Sequence, residues 1–266
     1  MIELAHVSKT FHAGSANAKR VISDLTLHIK SGEFVTIIGS NGAGKTTLFN
    51  LISGALFPSS GIIRLDGREV TTAPEYKRAR HIGRIFQDPL RGTASNMSVE
   101  DNMMIACRKG FKWPIISLNR KLRADFRARL EQLDMDLQDR MKENVGNLSG
   151  GQRQALTLLM MVMSSPSIIL LDEHTAALDP HNARIVMDLT SRFVGQYRLT
   201  TLMITHNMQQ AIDFGDRLLM MDSGDVIIDV QGDEKSQLTR TKLMDMFRRV
   251  RQHDFDNDEV LLSTGD

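Results

Sequence analysis

The sequence predicts a parallel α/β fold that is interrupted by a helical insertion and closed by a small appendix. Three observations predict it. Short apolar runs bounded by turn residues alternate with helix-period segments through residues 1–88, and again from 165 to 230. Between 89 and 164 the helix-period segments stand without strands. From 231 onward the chain is charged and only partly periodic. The divisions are therefore 1–88 with 165–230 as an α/β core, 89–164 as an inserted helical unit, and 231–266 as a C-terminal extension.

In order, "MIELAHV", "VISDLTLHI" and "SGEFVTIIG" read as strands, with Ser31-Gly32 turning into a buried strand at 33–38. "TTLFNLISG" has helical spacing and stops at Gly54. "SSGIIRLDGREV" reads as a hairpin about Asp66-Gly67, and "HIGRIFQD" as a short strand with its exit. "SVEDNMMIACRKG", "NRKLRADFRARLEQLDM" and the segment after Ser149 read as helices; Ser98 with Asp101 resembles a capping box. "SIILLDE" and "TTLMITHN" return to strand, with helices at 180–195 and 207–214, and "RLLMMDSGDVIID" continues the strand pattern. Leu238, Leu243, Met244, Phe247 and Val250 fit one side of a terminal helix, and the rest of the tail reads as frayed.

Composition narrows the function. Lys and Arg number 33 against 32 Asp and Glu, so no global basic footprint asks for nucleic acid. One cysteine, Cys107, forms no internal disulfide, no Cys/His cluster has zinc spacing, and a reducing cytosol is expected. "LTLLMMVM" at 156–163 is far short of the roughly 20 apolar residues of a spanning helix, and the N-terminus lacks a signal pattern. Work at a membrane would need another protein to span it.

Residues Gly39, Ser40, Asn41, Gly42, Ala43, Gly44, Lys45 and Thr46 fit G-x-x-x-x-G-K-[ST], followed by Thr47. The glycines let backbone N–H groups wrap phosphate oxygens, and the following helix adds its positive end. Lys45 would reach the β- and γ-phosphates, and the Thr46 hydroxyl would ligate Mg²⁺. "SIILLDE" supplies an apolar strand ending in Asp172, placed to hold Mg²⁺ through water. Glu173 points a different way and would act as general base on the attacking water. A Gly-rich turn and a solvated acidic loop are the plain alternatives. The strand before the glycines and the helix after them disfavour the first, and the co-occurrence of both motifs favours NTP hydrolysis. About a hundred residues downstream, "NLSGGQRQA" offers a second candidate phosphate cradle at Ser149, Gly150, Gly151 and Gln152.

Together these stretches resemble the ATP-binding cassette (ABC) ATPases over about residues 1–230. Gly39–Thr46 matches the Walker A loop, Ile168–Asp172 the Walker B strand, Glu173 the catalytic glutamate and Gln87 the Q-loop glutamine. Leu148–Gln152 ("LSGGQ") matches the signature, Ala177–Pro180 ("ALDP") the D-loop, and His206 the switch histidine. The resemblance implies a P-loop NTPase (RecA-like) core with an N-terminal antiparallel β-subdomain and an inserted α-helical subdomain. It implies ATP and Mg²⁺ as cofactors, with Thr46, Gln87 and Asp172 toward the metal and Glu173, His206 and Gln87 toward catalysis. It also explains two cradles: two copies pack head to tail, and each signature caps the ATP held by the other copy's Walker A loop. Asp179 would reach across that dimer, cap a helix before Pro180, or do both. Phe11 matches an aromatic that stacks on adenine, or is an ordinary core residue. His174 stands where most members carry Pro and reads as a loop variant, although it lies beside Glu173 and titrates near neutrality.

Residues 86–106 with "DEHTAALDP" resemble a bacterial importer subfamily paired with a branched-chain-type permease and an extracellular or periplasmic solute-binding lipoprotein, some members linked to aromatic amino acids. The implied protein is peripheral on the inner face of the cell membrane, homodimeric, bound to integral membrane permease subunits and not to nucleic acid. The alternatives are a soluble ABC ATPase of the iron–sulfur assembly type, or the ATPase of an exporter or lipid-extraction system. Members acting in DNA repair insert long coiled coils, and ribosome-acting members carry two cassettes; neither feature is in this sequence.

Overall fold

The structure is a computed structural model that describes residues 1–107 and 118–250. The expected frayed tail beyond 250 and the end of "SVEDNMMIACRKG" lie outside the described residues. The first apolar runs form β1 (Ile2–Phe11), β2 (Lys19–Ile29) and β3 (Phe34–Gly39). β1 pairs antiparallel with β2 on one side and with β4 (Ser60–Leu65) on the other. β4 turns at Asp66-Gly67 into β5 (Arg68–Glu69), completing a four-stranded sheet in the order β2-β1-β4-β5. Both turn residues have positive φ, 49° and 76°, the two-residue geometry whose twist suits a hairpin.

β3 lies within a second sheet with β6 (Ile82–Ile85), β7 (Ile168–Asp172), β8 (Thr200–Ile204), β9 (Arg217–Asp222) and β10 (Asp225–Gln231). Its order is β10-β9-β3-β8-β7-β6. Every pair is parallel except the β9–β10 hairpin, which divides the strand pattern of 217–229 at Ser223-Gly224. Residues Phe34 to Ile38 are all buried, as in parallel strands covered on both faces. Val35 and Ile37 pack beneath α1 (Lys45–Ser53), in a cluster with Leu48, Phe49 and Leu170.

The short α2 (Glu75–Arg78) precedes β6, and between β6 and β7 the chain runs through α3 (Val99–Ala106), α4 (Arg120–Glu131) and α5 (Gly150–Met163). Ser98 caps α3 through Asp101 N–H at 3.2 Å. The Asp101 carboxylate returns to the Ser98 hydroxyl rather than to its backbone N–H, so the expected capping box is only half made. In α5, Leu158, Leu159, Met161 and Val162 are buried, which makes the Met-rich stretch core. Each such side chain, fully buried, contributes about 1.5–3 kcal/mol.

After β7 come α6 (Pro180–Tyr197) and α7 (Met208–Asp213), then α8 (Gly232–Ser236) and a helical stretch over 240–250. Leu238 and Leu243 are buried in a cluster with Ile38 and Ala211. Met246 packs there with Phe247 and Val250; Met244, expected on that face, is not part of the cluster. Lys235 is buried and donates to the carbonyls of Ile212, Phe214 and Gly215 at 3.0, 2.7 and 2.7 Å. The end of α7 therefore finds its hydrogen-bond partner in the extension. Burial holds the Lys235 ammonium below its usual pKa, while Asp216 and Asp213 push it back up. Lys235→Met strands three carbonyls and is expected to cost about 1–3 kcal/mol. A lower urea midpoint at unchanged slope would report it; an unchanged midpoint would mean that water replaces the ammonium.

Candidate active site

Three parallel strands, β3, β7 and β8, deliver the expected residues to one edge of the sheet. β3 ends at Gly39 and opens the Walker A loop; β7 ends at Asp172; β8 ends at Ile204, two residues before His206. The ladder aligns these ends, pairing Asp172 with Ile204 and Ile37 with Ile204.

The loop is held in a shape that only glycine permits. Gly39 has φ +153°, and a Cβ there would stand 2.1 Å from the Met221 carbonyl oxygen. Gly44, at φ +98°, begins α1 against Ile22 and Gly224. Ser40 donates to Asp222 at 2.9 Å, and Ala43 accepts from Gly224 N–H. Asn41, Gly42 and Thr46 are exposed, Thr47 half-buried and Ala43 buried. Lys45 is 6 % exposed and donates to the carbonyls of Gly39 and Ser40 at 2.8 and 2.9 Å. Burial holds its pKa below the ordinary lysine value, and the charges of Glu173 and Asp172 act in the opposite sense. A buried ammonium whose hydrogen bonds go to carbonyls, behind a loop of exposed backbone at a helix N-terminus, fits a polyphosphate. Oxygen donors at Thr46 and Asp172 suit Mg²⁺, a hard cation that takes few protein ligands and completes its shell with phosphate and water. Among the described residues no group of three His, Cys, Asp or Glu forms a metal cage.

Glu173 sits at φ +50°, a left-handed conformation rare for a residue with a side chain, and its N–H donates to the Ile204 carbonyl at 3.0 Å. Its Oε1 lies 2.7 Å from His206 Nε2. An ionised carboxylate only accepts, so this contact assigns the proton to Nε2. Glu173 keeps its second oxygen for another partner. His174, next in sequence, is turned the other way. It is 2 % exposed, and its Nε2 lies 3.1 Å from the Thr190 hydroxyl, which itself donates to Val186 O. Nε2 therefore donates, and burial pushes the imidazole down to about 4. His174 is a neutral core residue.

The second cradle has other neighbours. Ser149 caps α5 in a reciprocal capping box with Gln152, whose side chain also donates to Met135 O and accepts from Arg140. A Cβ on Gly150 would meet Leu178, and one on Gly151 would meet Asn182 at 2.6 Å. Asp179 caps α6 by accepting from His181 and Asn182 N–H, and its other oxygen accepts from the Asn182 amide. These bonds, that of the Asn182 side chain foremost, hold its pKa down. The signature and D-loop thus lie together, and their nearest neighbours differ from those of the Walker A glycines. Gln87 is exposed in the bend after β6, and Phe11 is half-buried at the end of β1 with the Lys9 ammonium 5.3 Å from its ring centre.

Sequence reasoning missed two arginines. Arg78 is buried and donates to the Leu51 and Ile52 carbonyls at the far end of α1, and to Thr71 and Ala73; burial pushes it down to about 10. Arg84 joins Asp172 at 3.2 Å to Asn50 at 2.8 Å. No motif marks either. The signal for Arg84 was a charged residue inside an otherwise apolar buried strand.

This geometry defines a nucleotide-binding P-loop site, and comparison with known proteins supplies the family. The ABC transporter family matches residues 22–176, and the chain belongs to it. It is an ATP-binding cassette ATPase. The chain is 42 % identical over 250 residues to the tyrosine transport ATP-binding protein of Clostridioides difficile (strain R20291), covering 93 % of this chain and 98 % of that one. It is 33 % identical over 243 residues to the phosphonates import ATP-binding protein PhnC of Lactobacillus johnsonii (strain CNCM I-12250 / La1 / NCC 533), covering 89 % and 92 %. The dimeric structure of MJ0796, a bacterial ABC transporter cassette, superposes with a TM-score of 0.73 at 26 % identity, covering 87 % of this chain and 98 % of that one. The fold is the cassette fold expected from the sequence. Among the described residues no helix is long and apolar enough to cross a membrane.

The environment of His174 yields a prediction that separates it from Glu173. His174→Leu should keep ATP hydrolysis within about twofold while losing about 1–3 kcal/mol of stability, because Thr190 loses its partner. A rate loss of a hundredfold at unchanged stability would put His174 in the chemistry.

Proposed function

We propose that this chain is the ATP-hydrolysing subunit of an importer, working as a homodimer on the inner face of the cell membrane beneath separate permease subunits. The observation that carries it is the convergence of Lys45, Asp172, Glu173 and His206 at one sheet edge, while Ser149–Gln152 is built into a different neighbourhood. A site so divided gains its missing half from a second copy. In that assembly ATP lies on the loop from Gly39 to Thr47, with Phe11 against the adenine. Ser149, Gly150, Gly151, Gln152 and Asp179 face it from the partner. Mg²⁺, held by Thr46, Asp172 and Gln87, would neutralise phosphate charge. Glu173, anchored by His206 through one oxygen, uses the other to orient and deprotonate water. His206 fixes the rotamer and reaches toward the γ-phosphate. Residues 89–164 form the inserted unit that meets the permease, and residues 231–266 form a C-terminal extension whose Lys235 braces the end of α7.

The relatives support import and a small polar solute. The highest identity reported above is to a tyrosine transport protein, over 93 % of this chain and 98 % of that one. We therefore assign an aromatic amino acid as the solute class, delivered through a branched-chain-type permease and a solute-binding lipoprotein. The known structural likeness to a dimeric cassette supports the homodimer.

Two expected outcomes test this. Glu173→Gln should bind ATP and stall before cleavage, and size-exclusion chromatography with ATP and Mg²⁺ should then give a dimer; a persistent monomer counts against the shared site. Lys45→Ala should lose nucleotide affinity by tenfold or more, because the phosphate charge loses its buried counterpart, as measured with a fluorescent ATP analogue. For the solute, deletion of the gene should abolish uptake of labelled tyrosine in the native cell. Undiminished uptake would remove that assignment and leave the ATPase intact.

A further inference from the structure

Arg84 touches one of the three residues expected around the metal and neighbours of the other two, and none of the motifs assigns it a role. It lies on β6, paired with Leu170 of β7. Paired residues of parallel strands face the same side, and Asp172 lies two residues beyond Leu170, so Arg84 and Asp172 share the face that α1 covers. The guanidinium forks. One Nη donates to Asp172 Oδ2 at 3.2 Å, the other to Asn50 Oδ1 at 2.8 Å. Asn50 is one helical turn after Thr46, on the same face of α1. The guanidinium also lies 4.8 Å from the ring centre of Phe86, the residue before Gln87. One side chain thus touches Asp172 directly and the immediate supports of Thr46 and Gln87.

Stability alone gives little reason for it. The side chains of Arg84 and Asp172 are 13 % and 15 % exposed, and Arg84 Nε is buried without a hydrogen-bond partner. An ion pair removed so far from water, with one donor unpaired, often contributes nothing beyond an apolar pair of the same volume. Its geometry is what an apolar residue could not supply. A planar fork with fixed donor directions sets the separation of its two acceptors.

We propose that Arg84 is a positioning residue of the metal half of the site. It clamps α1 to β7 at the spacing that lets Thr46 and Asp172 serve one ion, and it ties up Asp172 Oδ2 so that Oδ1 is turned outward. This rests on the ATP–Mg²⁺ reading given above. Outer partners that orient metal-holding groups are typically worth 10- to 100-fold in metal affinity.

The test reads binding without turnover. A fluorescent ATP analogue is titrated onto the full chain in EDTA and then across a Mg²⁺ series. In Arg84→Met, binding in EDTA should stay within twofold of the natural chain, and the Mg²⁺ concentration giving half the metal-dependent gain should rise about tenfold. Arg84→Lys keeps the charge and loses the fork, so it should show the same rise. Asn50→Ala, which leaves the Arg84–Asp172 pair in place, should rise several-fold and carries the test if the Arg84 variants do not fold. A metal response unchanged in Arg84→Met or Asn50→Ala, tightened, or restored by Arg84→Lys overturns the clamp. If the natural chain shows no metal-dependent gain, the Mg²⁺ reading fails instead, and the two failures are distinct.

Discussion

The site depends on burying one positive charge. Lys45 sits at the mouth of α1, withdrawn from water, with its ammonium on two carbonyls of the loop that it helps to shape. Solvating it by protein dipoles alone leaves the charge under-compensated, as its lowered pKa records. On the function proposed above, an incoming polyphosphate would relieve that deficit. The arrangement forces the neighbouring choices: glycine at 39 and 44, because the backbone curls where a Cβ would strike Met221 or Ile22, and β3 within the sheet, because the loop needs a rigid root.

The parallel ladder then does the positioning. With β3, β7 and β8 in register, their C-terminal ends bring a lysine, two carboxylates and a histidine together from positions more than a hundred residues apart. Of these four residues only Glu173 has a left-handed backbone, and its side chain meets His206 while Asp172 faces Arg84. Adjacent acids thereby acquire different partners, and the histidine that follows them is used up by the core.

Much of this was legible in the sequence, for identifiable reasons. The glycine spacing from 39 to 44 and the apolar strand into Asp172 are local patterns, and local patterns survive as text. The turn at Asp66-Gly67 and the buried strand at 33–38 were legible for the same reason. Contacts between distant elements were not. Nothing around Arg84 tells that it forks between Asn50 and Asp172, and nothing around Lys235 tells that it closes the end of α7. His174 was ambiguous because its hydrogen-bond partner, Thr190, lies sixteen residues on. The single-stretch reading of 217–229 shows the limit of apolar periodicity, because a Ser-Gly turn interrupts the chain without interrupting the pattern.

The small contact between Gly151 and Asn182 has a mechanical consequence. Asn182 Oδ1 lies 2.6 Å from where a Cβ on Gly151 would stand, and the Asn182 amide nitrogen donates to the Asp179 carboxylate, while Gln152 ties the signature helix start to Met135. The signature and the start of α6 therefore nest closely across the boundary between the insertion and the core. A side chain at position 151 would push the two apart, so the missing methyl sets how tightly one region seats on the other.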